Sequence, residues 1–384
     1  MASAFLNSDK TADVVVVGGG VIGLSVARAL ARKQVGSVLL VERGELGREA
    51  SFAAAGMLAP QAEANVDDAF FQLCCRSRDL YPTFAAQLLE ETGLDVELDQ
   101  TGTLYCAFSE HDRKEIEKRF EWQRELGLSV EQLTPRQARE LEPNLSETVL
   151  AALKFPEDTQ IENRQLLRAL IAANEKLDVK SCARTIVESL RIEAGKIAGV
   201  STSKGFVSTR NVVIASGAWS SLIKIGTAVP QIRIEPVRGQ MICFVAQPVL
   251  ARHVIYSPRG YLVPRRDGRL LAGSTTEEAG FAKEVTARGL ESIRDHAREI
   301  APSVAGLELV DSWAGLRPRA ADELPVLGKT GETDGLFFAT GHYRNGILLA
   351  PLTGELIAAL IADNVVAAEL QTFTPDRFAT VSVN

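Results

Sequence analysis

Asp13-Val14-Val15-Val16-Val17-Gly18-Gly19-Gly20-Val21-Ile22-Gly23 runs an unbroken apolar segment into a glycine turn, after which Ile22, Val26, Ala29 and Leu30 recur at helical spacing. Valines without alternation read as a strand buried on both faces, the type found in parallel sheets flanked by helices. Each glycine has its own task. Gly18 permits the tight turn, Gly20 lets backbone approach a pyrophosphate, and Gly23 lets the helix pack against the strand. The helix start at Val21 and Ile22 presents unpaired N–H groups and a partial positive charge to phosphates. Glu42 closes a second apolar run, 37–41, roughly 20 residues past the turn, where a carboxylate accepts hydrogen bonds from ribose hydroxyls. The stretch therefore predicts an α/β unit that binds a dinucleotide.

The 384 residues are 46% hydrophobic and 24% charged, ordinary values for a globular chain of roughly two domains. A net charge of −7 with both signs interspersed argues against a nucleic-acid or anionic-membrane surface. No apolar run reaches the roughly 20 residues of a membrane span. Residues 350–368 come closest and are broken by Glu355, Asp363 and Asn364. The first residues are polar and lack a signal-peptide core, so a cytoplasmic protein is expected. Cys74, Cys75, Cys106, Cys182 and Cys243 form no C-x-x-C pair, and His111, His253, His296 and His342 stand at no ligand spacing. Neither disulfides nor a metal site are expected.

Further along, helical periodicity marks 70–89, 111–126, 163–174, 286–300 and 351–363, while 44–59 reads as a loop of small residues. Strand character marks 102–108, a hairpin at 185–193 and 197–202, and 211–216 running into a small-residue turn at Gly217 and Trp219. Alternation dominates 232–275, which predicts a mostly antiparallel sheet. Nucleotide-type and substrate-type pieces are interleaved, so the domains are expected to be discontinuous. Residues 12–88, 148–222 and 318–375 are assigned to the nucleotide domain, and 89–147 and 223–317 to the substrate domain.

Three dispersed segments share one context. They are the fingerprint with Glu42-Arg43, then Val212-Val-Ile-Ala-Ser-Gly-Ala-Trp219, then Gly335-Leu-Phe-Phe-Ala-Thr-Gly-His-Tyr-Arg-Asn-Gly-Ile347. In this order they resemble the FAD-dependent amine and amino-acid oxidases. More narrowly, Glu49-Ala-Ser-Phe-Ala-Ala-Ala-Gly-Met-Leu-Ala-Pro60, Trp313-Ala-Gly-Leu-Arg-Pro318 and Gly341-His-Tyr-Arg-Asn-Gly346 resemble the glycine oxidase family of thiamine biosynthesis. The likeness runs over about residues 13–375. It implies a Rossmann-like FAD domain of the glutathione-reductase type with an α+β substrate domain. It also implies noncovalent FAD, a small amino-acid substrate, O2 as acceptor with H2O2 released, a homotetramer, and a thiazole synthase as a candidate acceptor of the product.

The same resemblance places Arg43, Ser51, Gly217, Trp219, Arg344, Asn345, Gly346 and Ile347 at the cofactor. Physical sense supports it. A planar tricyclic ring needs close backbone on one face, and Ala53, Ala54, Ala55 and Gly56 present almost no side chain, with Met57 at the ring edge. Arg317 lies between Leu316 and Pro318 at the end of an apolar run, where a solvated charge is out of place, and its guanidinium suits a substrate carboxylate. Tyr261 is expected to add a hydroxyl to that carboxylate. Arg344 clamps substrate or faces the flavin. Arg259 and Thr276 stand where several glycine oxidases carry histidine and methionine, so both are expected to shape the substrate pocket. The alternatives are a D-amino-acid or sarcosine-type oxidase or dehydrogenase and, in another class, an NAD-dependent dehydrogenase, which needs only the first segment.

Overall fold

The computed structural model describes residues 10–226 and 232–378, and two large sheets carry its architecture. The polar N-terminus read above for a signal-peptide core falls mostly in residues 1–9, outside the described residues. Val14–Val17 sits inside a six-stranded sheet in the order Val326–Lys329, Leu336–Thr340, Asn211–Ile214, Val14–Val17, Val38–Val41, Lys180–Cys182. All its pairings are parallel except that of Val326–Lys329 with Leu336–Thr340. All four valines are buried, as a strand covered on both faces requires. The helices Val21–Arg32, Ala69–Thr92, Asn163–Lys176 and Gly346–Asp363 pack into one apolar cluster with one face of this sheet. The hairpin Val187–Glu193 and Lys196–Thr202 packs on the other.

The second sheet has eight strands. Ile234–Val245, Val254–Ser257, Gly260–Pro264 and Arg269–Gly273 form its centre, with antiparallel pairing throughout except between Val254–Ser257 and Thr103–Ala107. Two differences from expectation stand out. Ala151–Phe155 pairs with Thr103–Ala107 in this sheet, so the strand belongs with the substrate pieces although 148–222 was assigned to the nucleotide domain. Glu308–Ala320, which showed no alternation, is a 13-residue edge strand along Ile234–Val245. It hides because Gly315 and Pro318 interrupt its pattern and most of its side chains are half-buried. Proline is tolerated at an edge, where no ladder partner waits for its missing N–H.

The C-terminal helix starts at Gly346, not near Pro351. Pro351 lacks the N–H that would bond to the Ile347 carbonyl one turn earlier, which is why the sequence pattern suggests a later start. The fully buried Tyr81 hydroxyl donates to that carbonyl instead, and Ser77 Oγ donates to the next one, Leu348, at 2.7 Å. Tyr81→Phe leaves a buried acceptor unpaired and is expected to cost about 1–3 kcal/mol. Urea unfolding should show a lower midpoint at unchanged slope, and an unmoved midpoint would mean that the carbonyl finds another donor. Gly346–Asp363 is also the one helix, among the described residues, long and apolar enough to cross a membrane. It is largely buried against the helices Val21–Arg32 and Ala69–Thr92.

Candidate active site and cofactor cleft

A cavity of about 560 Å³ opens between the two sheets. Its nucleotide end lies at the carboxyl ends of the parallel strands, where open α/β sheets take their ligands. Of the residues expected at a cofactor, Gly18, Gly20, Val21, Ile22, Glu42, Arg43, Ser51, Ala54, Ala55, Gly56, Met57, Gly217, Trp219, Arg344, Gly346 and Ile347 line it. Gly23 and Asn345 do not line it. Gly23 acts one step back, because a Cβ there would overlap the Gly18 carbonyl oxygen.

Dinucleotide chemistry fits this end. The helix Val21–Arg32 has neither a side-chain cap on Gly20 nor an acidic residue in its first turn. Although the Val21 N–H donates to Ser51 Oγ at 3.0 Å, that hydroxyl is neutral and leaves the positive end of the helix uncancelled for an anion. A Cβ on Gly20 would meet only Ser51 Oγ at 3.2 Å, so the protein leaves that approach open. Glu42 is buried and oriented by the N–H groups of Gly19 and Gly44, each at 2.7 Å. The Arg43 guanidinium lies 4.4 Å from the Trp219 ring centroid, forming a flat wall.

Three residues that sequence reasoning missed support the segment 53–57 and Arg344 at the cavity wall. Asn163 Nδ2 donates to the carbonyls of Ser51 and Phe52 at 2.8 and 3.1 Å. Buried Arg265 donates to the carbonyls of Ala55 at 2.5 Å and Ile161 at 3.1 Å, and pairs with Glu162 at 3.2 Å. Together they fix the small-residue segment from behind, with Gly56 at φ +77 against the Ile161 carbonyl. The third is Tyr256, whose hydroxyl accepts from Arg344 Nη2 at 3.2 Å. Its ring stacks between Tyr105 and Tyr261, with centroids 5.4 and 6.0 Å away. Strand register aligns the three tyrosines, a signal that only pairing reveals.

At the other end of the cavity Arg317, Tyr261, Arg344, Met57 and Glu63 come together. Arg317 Nη1 donates to the Thr275 carbonyl at 3.0 Å and Nη2 to Ser274 Oγ at 2.7 Å. No carboxylate lies within 4.0 Å of it among the described residues. Withdrawal from water lowers its pKa. Gly239 makes room for it, since a Cβ there would overlap the guanidinium. Tyr261 is buried, with its hydroxyl 3.2 Å from Met241 Sδ. The Glu63 carboxylate, 3.8 Å away, raises the pKa of Arg344.

Two expected pocket residues lie elsewhere. Arg259 is drawn off by Glu299 at 2.7 Å and Asp112 at 3.4 Å, and Thr276 is exposed beside Glu277, whose backbone bridges Arg238; neither lines the cavity.

His342 is buried, with Nε2 3.1 Å from Thr353 Oγ1, and burial lowers its pKa from 6.5 to about 3. The unfolded chain takes up this proton as pH falls below 6.5 whereas the folded chain does not. The stabilisation is therefore full above the unfolded value and is lost as pH falls toward the folded one. The stability difference between wild type and His342→Gln should shrink by about 1.4 kcal/mol per unit between about pH 6 and pH 4. Urea unfolding of both proteins measures it, and a constant difference would mean a ring that titrates normally when folded.

The site and fold are those of flavin-dependent oxidoreductases, and the profile described as "FAD dependent oxidoreductase" matches residues 13–360. The chain belongs to that family and FAD is its cofactor. It is 36% identical to the glycine oxidase of Geobacillus kaustophilus, over 95% of this chain and 97% of that one. The crystal structure of glycine oxidase from Geobacillus kaustophilus superposes with a TM-score of 0.91 at 35% identity, over 96% of this chain and 99% of the other. The bifunctional protein ThiO/ThiG of Synechocystis is 34% identical over 97% of this chain, which spans 55% of that longer protein. An iminodiacetate oxidase from Chelativorans is also similar, with a TM-score of 0.82 at 25% identity over 94% of this chain and 98% of that one.

Proposed function

We propose that this chain catalyses the oxidative deamination of glycine, with sarcosine or small D-amino acids as secondary substrates. The observation that carries the reading is the Arg317 guanidinium, set in the cavity with neutral partners only among the described residues. A cation in that position lacks the anion that a free carboxylate supplies. When bound, FAD supplies the two-electron acceptor.

The chain's own residues do the rest. Arg317 binds the carboxylate through two parallel N–H bonds and so fixes its rotation, with the Tyr261 hydroxyl beside it. Met57 and the backbone of 53–56 exclude water from the reacting carbon. The α-amine must be neutral for its lone pair to assist, and the cationic Arg317 favours loss of its proton. The imine product hydrolyses to glyoxylate and ammonia. Dioxygen is the proposed final acceptor, giving H2O2, in a cytoplasmic homotetramer. The fused ThiO/ThiG relatives support a thiazole synthase as consumer of the product.

The test is anaerobic bleaching of the flavin absorption by glycine, sarcosine and D-alanine, followed by oxygen. Rapid bleaching by glycine with one peroxide per flavin on reoxidation is expected. Bleaching only by a bulkier amine would move the activity to the sarcosine or D-amino-acid type, and bleaching without peroxide would make the enzyme a dehydrogenase.

A further inference from the structure

We propose that Glu63 is a specificity-determining residue: by neutralising Arg344 it leaves one uncompensated cation at the substrate end of the cavity, and so restricts the enzyme to amines bearing a single carboxylate. The proposal rests on the reading of the chain as an amino-acid oxidase and names the substrate class of that site.

Three charged side chains line this end: Glu63, Arg317 and Arg344. Arg317 is held by a carbonyl and a hydroxyl, so its charge is uncompensated. Arg344 has a neutral partner in the Tyr256 hydroxyl and an anionic one in Glu63, 3.8 Å away. Both side chains are partly exposed, 31% for Arg344 and 21% for Glu63, so water screens the pair in part, but opposite charges this close still offset one another at the cavity wall. All three face the same cavity, and beyond the larger effect of burial the Arg317 guanidinium is pushed down by Arg344 and up by Glu63.

Glu63 is free for this task. Arg344 is its one ionic partner among the described residues, and the separation is too long for a hydrogen bond. Its backbone is fixed from behind. The buried Asp158 accepts from the N–H groups of Gln61 and Ala62 at 3.3 and 2.8 Å, and Arg119 donates to both of their carbonyls. The turn Pro60–Glu63 is thus a rigid mount that presents a carboxylate to the cavity.

A substrate with one carboxylate matches the single charge on Arg317. A second carboxylate, as in iminodiacetate, would approach Arg344 only by also approaching Glu63, and like charges brought together reject a ligand. Selectivity here is a repulsion held in reserve.

The experiment uses the holoenzyme as wild type, Glu63→Gln, and the double variant Glu63→Gln with Arg344→Gln. Glycine and iminodiacetate are compared by kcat/KM from flavin bleaching. The iminodiacetate-to-glycine ratio is expected to rise about tenfold or more in Glu63→Gln and to fall back in the double variant. An unchanged ratio overturns the proposal, including the case where Glu63 attracts the substrate ammonium and both substrates lose equally. Acetate and malonate, read by perturbation of the flavin spectrum in wild type and Arg344→Gln, need neither turnover nor a Glu63 variant. Malonate is expected to bind wild type no tighter than acetate. A malonate preference that Arg344→Gln abolishes would show Arg344 free for a second carboxylate and overturn the proposal. Failure of glycine to bleach the wild-type flavin sinks the oxidase reading instead, and the two acids still decide the role of Glu63.

Discussion

Arg317→Met is expected to lower kcat/KM for the substrate amino acid by roughly 30- to 5000-fold, equivalent to about 2–5 kcal/mol, without lowering the melting temperature. The two halves of that result have one cause. The guanidinium is withdrawn from bulk water and, among the described residues, meets no counter-ion, only the Thr275 carbonyl and the Ser274 hydroxyl. Folding therefore bears a desolvation cost that the substrate carboxylate later offsets. Methionine of similar length removes the cost together with the anchor. Arg317→Lys separates charge from shape: it keeps the cation but loses the planar fork, so it should recover only part of the lost efficiency. Steady-state kinetics and thermal unfolding of FAD-loaded protein check both halves. Activity within a few-fold of wild type would show that another residue holds the carboxylate. A lowered melting temperature at normal FAD content would make Arg317 a structural residue.

The sequence was legible where one residue type has one physical job. Glycines at 18, 20 and 23 and the acid at 42 could be placed because strand, turn and helix N-terminus each restrict a single position. Arg317 lines the cavity, and the sequence singled it out because a cation in an apolar run needs a reason. Arg265, Asn163 and Tyr256 were not, since each acts through backbone carbonyls or strand partners distant in the chain, and no local pattern encodes those contacts. Arg259 was misplaced for a related reason. Its position in the chain lies two residues from Tyr261, but Glu299 on the helix Ala287–Ile300 holds its side chain. The edge strand Glu308–Ala320 depends in the same way on where the chain lies in the sheet, since only an edge tolerates Pro318, and the early start of the last helix depends on Tyr81 supplying the donor that Pro351 lacks. Pairwise contacts across the fold, not residue propensities, decide these cases.

Gly20→Ala and Gly23→Ala are expected to part company, although both alter one glycine turn. Gly20 has φ −76, a conformation alanine adopts freely, and the nearest atom to its added Cβ is Ser51 Oγ at 3.2 Å. Flavin-free Gly20→Ala protein should therefore be as stable as wild type, or more stable by about 0.4–1 kcal/mol through the unfolded chain. The cofactor is what the methyl group obstructs, at the close approach of backbone to pyrophosphate, so FAD should bind at least about tenfold more weakly, or about 1.4 kcal/mol. Gly23→Ala fails earlier. Its Cβ would overlap the Gly18 carbonyl oxygen, which follows directly on the parallel strand Val14–Val17 and has little room to move. The helix Val21–Arg32 must then lift off the sheet, at a cost of about 2 kcal/mol or more in the flavin-free protein itself. FAD titration followed by flavin fluorescence, beside urea unfolding of the stripped proteins, separates the two variants. If Gly20→Ala binds FAD normally, the pyrophosphate does not pass over that backbone. If stripped Gly23→Ala unfolds like wild type, the strand and helix have slack that the close contact between them does not suggest.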